Sequence, residues 1–73
     1  MHKYLIVIEK TPNGNFSAYS PDVDGCIAAG KTRAEARRLM EEALELHIGG
    51  LIEDGLPIPE PTSRAEYVSV AVA

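Results

Sequence analysis

His47, Cys26, Asp22, Asp24, Glu9 and His2 are the side chains of this 73-residue chain whose types could do chemistry. Nucleophilic or metal-assisted reactions need such groups gathered at defined spacings. His47 has no Cys, Ser or second His at a spacing that makes a dyad or a metal pair, and it falls inside an apolar helical stripe, where a packed histidine is expected. His2 stands beside the start of the chain and is expected to be exposed. Cys26 lies at a turn-to-strand junction with no base near it in sequence, so it reads as a small buried hydrophobe. Asp22 and Asp24 in Asp-x-Asp-Gly fall short of a calcium loop, which needs further oxygens and a closing glutamate; they read as turn residues. Glycine-rich phosphate loops are absent. The sequence therefore assembles no catalytic constellation and no metal site, and it calls for no cofactor.

Composition points to binding. Eleven acidic against seven basic residues give a net charge of −4, which disfavours direct nucleic-acid binding and suits a basic partner. The single cysteine excludes an internal disulfide and fits a reducing compartment. No apolar run approaches the ~18 residues of a membrane span, and no signal-peptide pattern opens the chain. The expected location is the cytoplasm. One domain over residues 1–73 is expected, and a core this small is marginal, so oligomerisation is a natural supplement.

Residues 3–10 (Lys-Tyr-Leu-Ile-Val-Ile-Glu-Lys) read as a strand broken by Thr11-Pro12-Asn13-Gly14. Tyr4, Ile6 and Ile8 face one way, Leu5 and Val7 the other, so both faces are apolar. One helix covers only one of them, and the second face asks for another copy or a different protein. Residues 15–20 alternate as a second strand, Pro21 to Gly25 supply turn chemistry, and residues 26–29 form a short third strand. Residues 66–72 alternate Val68, Val70 and Val72 against small or polar residues, a fourth strand reached through prolines 57, 59 and 61.

Between the third and fourth strands lies the helix. Thr32 and Glu35 have capping-box spacing, Ala36, Leu39, Met40, Ala43, Leu46, His47, Gly50 and Leu51 recur at helical spacing, and Gly55 followed by Pro57 is a stop. Arg37, Arg38, Glu41, Glu42 and Glu45 form the charged opposite face. Ile48 and Ile52 widen the apolar arc beyond what one sheet face uses. The expected fold is α+β, β-β-β-α-β, with a four-stranded sheet of order 3-2-1-4 and the helix on one face.

The stretches Phe16 to Cys26, Gly30-Lys31-Thr32-Arg33-Ala34-Glu35-Ala36, Glu42-Ala43-Leu44 and Gly55 to Pro61 resemble the HicB antitoxin family. The resemblance spans about residues 3 to 70. It implies a truncated ribonuclease-H-like fold and a partner, the small basic RNA-cleaving HicA toxin, which such antitoxins neutralise by binding. Asp24 stands where the family often has proline. Many members continue into a DNA-binding domain that this sequence does not contain, so operator binding is not carried over. A metal-dependent nuclease would need more acidic residues than Glu9, Asp22 and Asp24, and no enzymatic activity is expected.

The expected toxin contacts are Tyr19, Asp22, Asp24 and Glu60. Leu5, Val7, Ile48 and Ile52 are the expected contacts of a homo-oligomer, a dimer or tetramer. A self-associating protein without a dedicated toxin is the alternative reading.

Overall fold

The computed structural model describes residues 2–73. Its elements are β1 (Val7–Lys10), β2 (Phe16–Ser20), β3 (Val23–Gly30) and α1 (Arg33–Glu53). The strands form an antiparallel sheet in the order β1-β2-β3. β1 and β2 are a hairpin with Val7 opposite Tyr19 and Lys10 opposite Phe16. Its loop is closed by the Thr11 N–H bonding the Asn15 carbonyl at 2.8 Å and is completed by Gly14 at φ 89°. β2 and β3 pair with Phe16 opposite Gly30 and Tyr19 opposite Ile27.

The turn between β2 and β3 is shorter than expected from Pro21 to Gly25. Ser20 pairs directly with Val23, so only Pro21 and Asp22 turn, and the register then shifts between Tyr19 and Ser20. Asp24, Gly25 and Cys26 bulge out of β3, which Gly25 allows by taking φ 75° without a Cβ clash. The bulge buries Val23 and Cys26 together against Ala36 and Met40 of the helix and Ala18 of β2. Ser20 is buried beside it, its Oγ without a hydrogen-bond partner.

The helix starts as its sequence dictates. Thr32 accepts from the Glu35 N–H at 3.0 Å, while the Glu35 carboxylate accepts from the Lys31 N–H at 2.7 Å, one residue before the cap. It ends in a Schellman motif: Gly55 at φ 68°, with Leu56 N–H to Leu51 O at 2.9 Å and Gly55 N–H to Ile52 O at 3.1 Å. Arg38 and Glu42 pair on the solvent face at 3.2 Å.

At about 1.5 Å per residue the 21-residue helix is roughly 32 Å long, whereas five-residue β2 spans about 17 Å. The helix outruns the sheet. Ala36 and Met40 are fully buried, but Leu46 and His47, placed in the apolar stripe by periodicity, are exposed because no strand lies beneath them.

The expected fourth strand is absent, and with it the order 3-2-1-4. The chain after the helix holds no regular structure among residues 56–73. Its course has a physical cause. The Tyr4 hydroxyl donates to the Pro59 carbonyl at 2.6 Å, beside the start of β1. Asp22 then takes hold of Thr62 and Ser63 at the β2–β3 turn. The connector thus crosses the end of the sheet away from the outer edge of β1, and Pro57, Pro59 and Pro61 withhold ladder donors along the way. Residues beyond Ser63 project outward. The molecule measures 53 × 26 × 18 Å with a radius of gyration of 14.4 Å, against about 11 Å for a compact chain of this length.

Candidate protein-binding surfaces

Strand alternation gives the sheet an inner face, carrying Ile8, Phe16, Ala18 and Ala28 toward the helix core, and an outer face on which none of the described helices or strands packs. Val7, Tyr19 and Ile27 are successive cross-strand partners and stand in one row across that outer face. Ile27 is 75% exposed and Tyr19 40% exposed. Glu9, Ser17 and Ala29 form the next row. An apolar row ringed by polar groups is the makeup of a protein-binding patch.

A second surface lies beside the helix. The helix packs over β3 and β2 and reaches β1 least, which leaves a cleft of about 760 Å³ above β1. Tyr4, Ile6, Leu44, Ile48, Ile52 and Ile58 supply its apolar lining, with Arg37, Glu41 and Glu45 at its rim. His2 stacks on Tyr4 at 6.1 Å between ring centres and approaches Glu60 at 4.0 Å.

The third surface is the projecting segment itself. Tyr67 is fully exposed, and Val68, Val70 and Val72 are 83%, 73% and 89% exposed.

The residues singled out from sequence divide among these places. Tyr19 stands at the centre of the outer sheet face beside Val7, while Leu5 lies ahead of β1, which begins at Val7 and not at residue 3 as the sequence pattern predicts. Ile48 and Ile52 line the cleft on the other side of the sheet from Val7, so the residues grouped as one oligomer contact do not share one surface. Asp24 is exposed on the bulge beside Ile27, and Glu60 is exposed on the connector. Asp22 is already engaged: its carboxylate accepts from the Ser63 N–H at 3.0 Å, the Ser63 hydroxyl at 2.8 Å and the Thr62 hydroxyl at 3.2 Å. These bonds hold its pKa below the usual 3.8, the Ser63 backbone donor first among them.

Sequence reasoning missed Ile27. Its signal was the alternation Cys26-Ile27-Ala28, which puts Ile27 opposite a buried cysteine, but the bulge that sets the phase was not readable. Cys26 is buried, and burial pushes its thiol pKa up, away from nucleophilic use. Among the described residues no three metal-capable side chains cluster, and no helix is long and apolar enough to cross a membrane.

A family pattern and a solved structure point to the same family. The pattern of the HicB_like antitoxin of bacterial toxin-antitoxin systems matches residues 4–71. An uncharacterized 14.9 kDa protein of Haemophilus phage HP1 is 38% identical over 66 residues, 90% of this chain and 49% of that protein, so the chain spans about half the length of this relative. A UPF0150 protein of Synechocystis is 32% identical over 72 residues, covering 99% of this chain and 91% of the relative. A UPF0150 protein of Helicobacter pylori is 48% identical over 50 residues, 68% of each chain. Among solved structures, a chain of a HicA3 and HicB3 toxin-antitoxin complex superposes with a TM-score of 0.68 at 43% identity, covering 84% of this chain and 70% of that one. The capped helix, the hairpin and the sequence pattern over nearly the whole chain converge, and this chain belongs to the HicB-like antitoxin family of bacterial toxin–antitoxin systems.

Proposed function

We propose that this chain neutralises a small basic RNA-cleaving toxin of the HicA type by binding it, in the cytoplasm and without catalysis of its own. The observation that carries the reading is the likeness, at 43% identity, to a chain of a HicA3 and HicB3 complex. The net charge of −4 supports it, because an acidic surface speeds encounter with a basic partner.

The outer sheet face is the docking surface in this reading. Val7, Tyr19 and Ile27 provide the apolar centre, and a partly exposed tyrosine among aliphatic neighbours is a common energetic anchor. Asp24 and Glu60 contribute carboxylates toward basic groups of the toxin. Asp22 acts indirectly, since its oxygens already hold the connector.

Co-expression with a HicA-type toxin tests the reading. Growth arrest by the toxin alone, relieved by this chain and accompanied by a co-purifying complex, is the expected result. Persistent arrest with no complex contradicts it.

A further inference from the structure

We propose that Ser63 is a phosphorylation site, and that a phosphoryl group on its hydroxyl opens the clasp between the chain after the helix and the β2–β3 turn. The clasp rests on one carboxylate. Asp22 Oδ2 accepts from the Ser63 N–H at 3.0 Å, and Oδ1 accepts from the Ser63 hydroxyl at 2.8 Å and the Thr62 hydroxyl at 3.2 Å. Among the described residues, Ser63 is the last in the chain to take part in a hydrogen bond. Whatever holds Ser63 therefore decides where residues 64–73 begin their course.

Ser63 has the setting that enzymatic modification requires. It is exposed, and it lies in a stretch without regular structure over residues 56–73, a type of segment that enters an enzyme's cleft without the core unfolding. Of the four serines, Ser17 lies within β2, Ser20 is buried and Ser69 has no hydrogen-bond partner, so a phosphate on Ser63 is the one that changes an accessible contact. The phosphoryl donor is a nucleoside triphosphate held by a protein kinase. A base of the kinase takes the Ser63 hydroxyl proton and Oγ bonds to the γ-phosphorus. The bond from that phosphorus to the β–γ bridging oxygen breaks, and its electron pair leaves with the nucleoside diphosphate.

The product reverses the sign of the contact. A hydroxyl that donates becomes a phosphate ester that accepts, carrying about −1.5 to −2 charge at neutral pH. It faces a carboxylate that the Ser63 donors hold below the usual pKa of 3.8, so Asp22 is ionised at neutral pH. Like charges at hydrogen-bond distance repel, and the Ser63 N–H leaves Asp22 with its side chain. The next residue supplies the new partner. Arg64 makes no ion pair among the described residues, and its guanidinium suits a phosphate.

A chain with Ser63 replaced by phosphoserine, made by amber suppression, is compared with the wild type, Ser63→Ala and Asp22→Asn. Backbone hydrogen exchange and carbon NMR of the Asp22 carboxyl read the clasp. Phosphoserine is expected to speed exchange of the Ser63 amide about tenfold and to raise the Asp22 pKa above 3.8. Ser63→Ala loses the hydroxyl and keeps the N–H, so its amide should stay protected. With Asp22→Asn already in place, phosphoserine should leave the exchange rate unchanged. Mass spectrometry of the chain isolated from growing and from stationary cells that encode it is expected to find the phosphoryl group on Ser63. Unmodified Ser63 in both, or a phosphoserine chain that keeps its protected amide and its low Asp22 pKa, overturns the proposal.

Discussion

The Asp22 carboxylate accepts from both the backbone N–H of Ser63, at 3.0 Å, and its hydroxyl, at 2.8 Å, across 41 residues of sequence. This contact, with Thr62 at 3.2 Å, holds the chain at the β2–β3 turn after Tyr4 has bound Pro59. It replaces the expected fourth-strand crossover with a projecting segment.

Its pH dependence has a definite sign. The Asp22 pKa is lowered from 3.8 in the folded chain, so its stabilising contribution is present in full above that value and is lost as pH falls through the lower folded pKa. Acidification below 3.8, or Asp22→Ala at neutral pH, should therefore release the connector. Trypsin cleavage after Arg64 at neutral pH should be a few-fold faster in Asp22→Ala than in the wild type. An unchanged rate would show that the contact does not hold the segment.

Packing at the start of the helix leaves no spare volume. A Cβ on Gly30 would lie 2.7 Å from the Ala36 backbone nitrogen and 3.0 Å from the Glu35 Cβ, and backbone cannot step aside as a flexible side chain can. Gly30→Ala is expected to cost about 1–3 kcal/mol, with a melting temperature lower by about 4–8 °C for each kcal/mol in a domain of this size. Unchanged melting would mean that the helix shifts freely over β3.

Thr32→Ala removes the hydroxyl that caps the helix through the Glu35 N–H. A loss of about 1 kcal/mol in urea unfolding is expected, with the binding surfaces unaltered because the cap lies outside them.

Met40 is fully buried at the centre of the core. Met40→Ala should cost about 2–5 kcal/mol, and Met40→Asp, which adds an unpaired charge, should abolish the helical dichroism. Ile52 is largely exposed at the cleft, so Ile52→Asp should leave the dichroism intact and weaken self-association. Equal damage from both would place Ile52 in the core instead.

The local elements were legible because local chemistry specifies them. Thr32 with Glu35 fixes a start, Gly55 a stop, and Thr11 to Gly14 a hairpin, all through contacts within a few residues. The failures arose where a distant contact or a register shift decides. His47 has helical phase for the core, but the sheet is too short to reach it. Val68, Val70 and Val72 have strand alternation, but Asp22 captures the chain before it can return to β1. Tyr19 could be placed on an outer face from alternation alone; that Ile27 stands beside it depended on the bulge at Gly25, whose position no periodicity reveals. Grouping Leu5 and Val7 with Ile48 and Ile52 treated all unpartnered apolar residues as one surface, and the sheet separates Val7 from the two helix residues.

Binding of a HicA-type toxin to the outer sheet face is measured by titration calorimetry of the purified chain against such a toxin, repeated with Ile27→Asp and Tyr19→Ala. A stable complex is expected with the wild type, and at least about 30-fold weaker binding for each variant, the equivalent of a 2 kcal/mol anchor, with the helical dichroism unchanged. No complex with the wild type, or equal affinity for all three proteins, would contradict it.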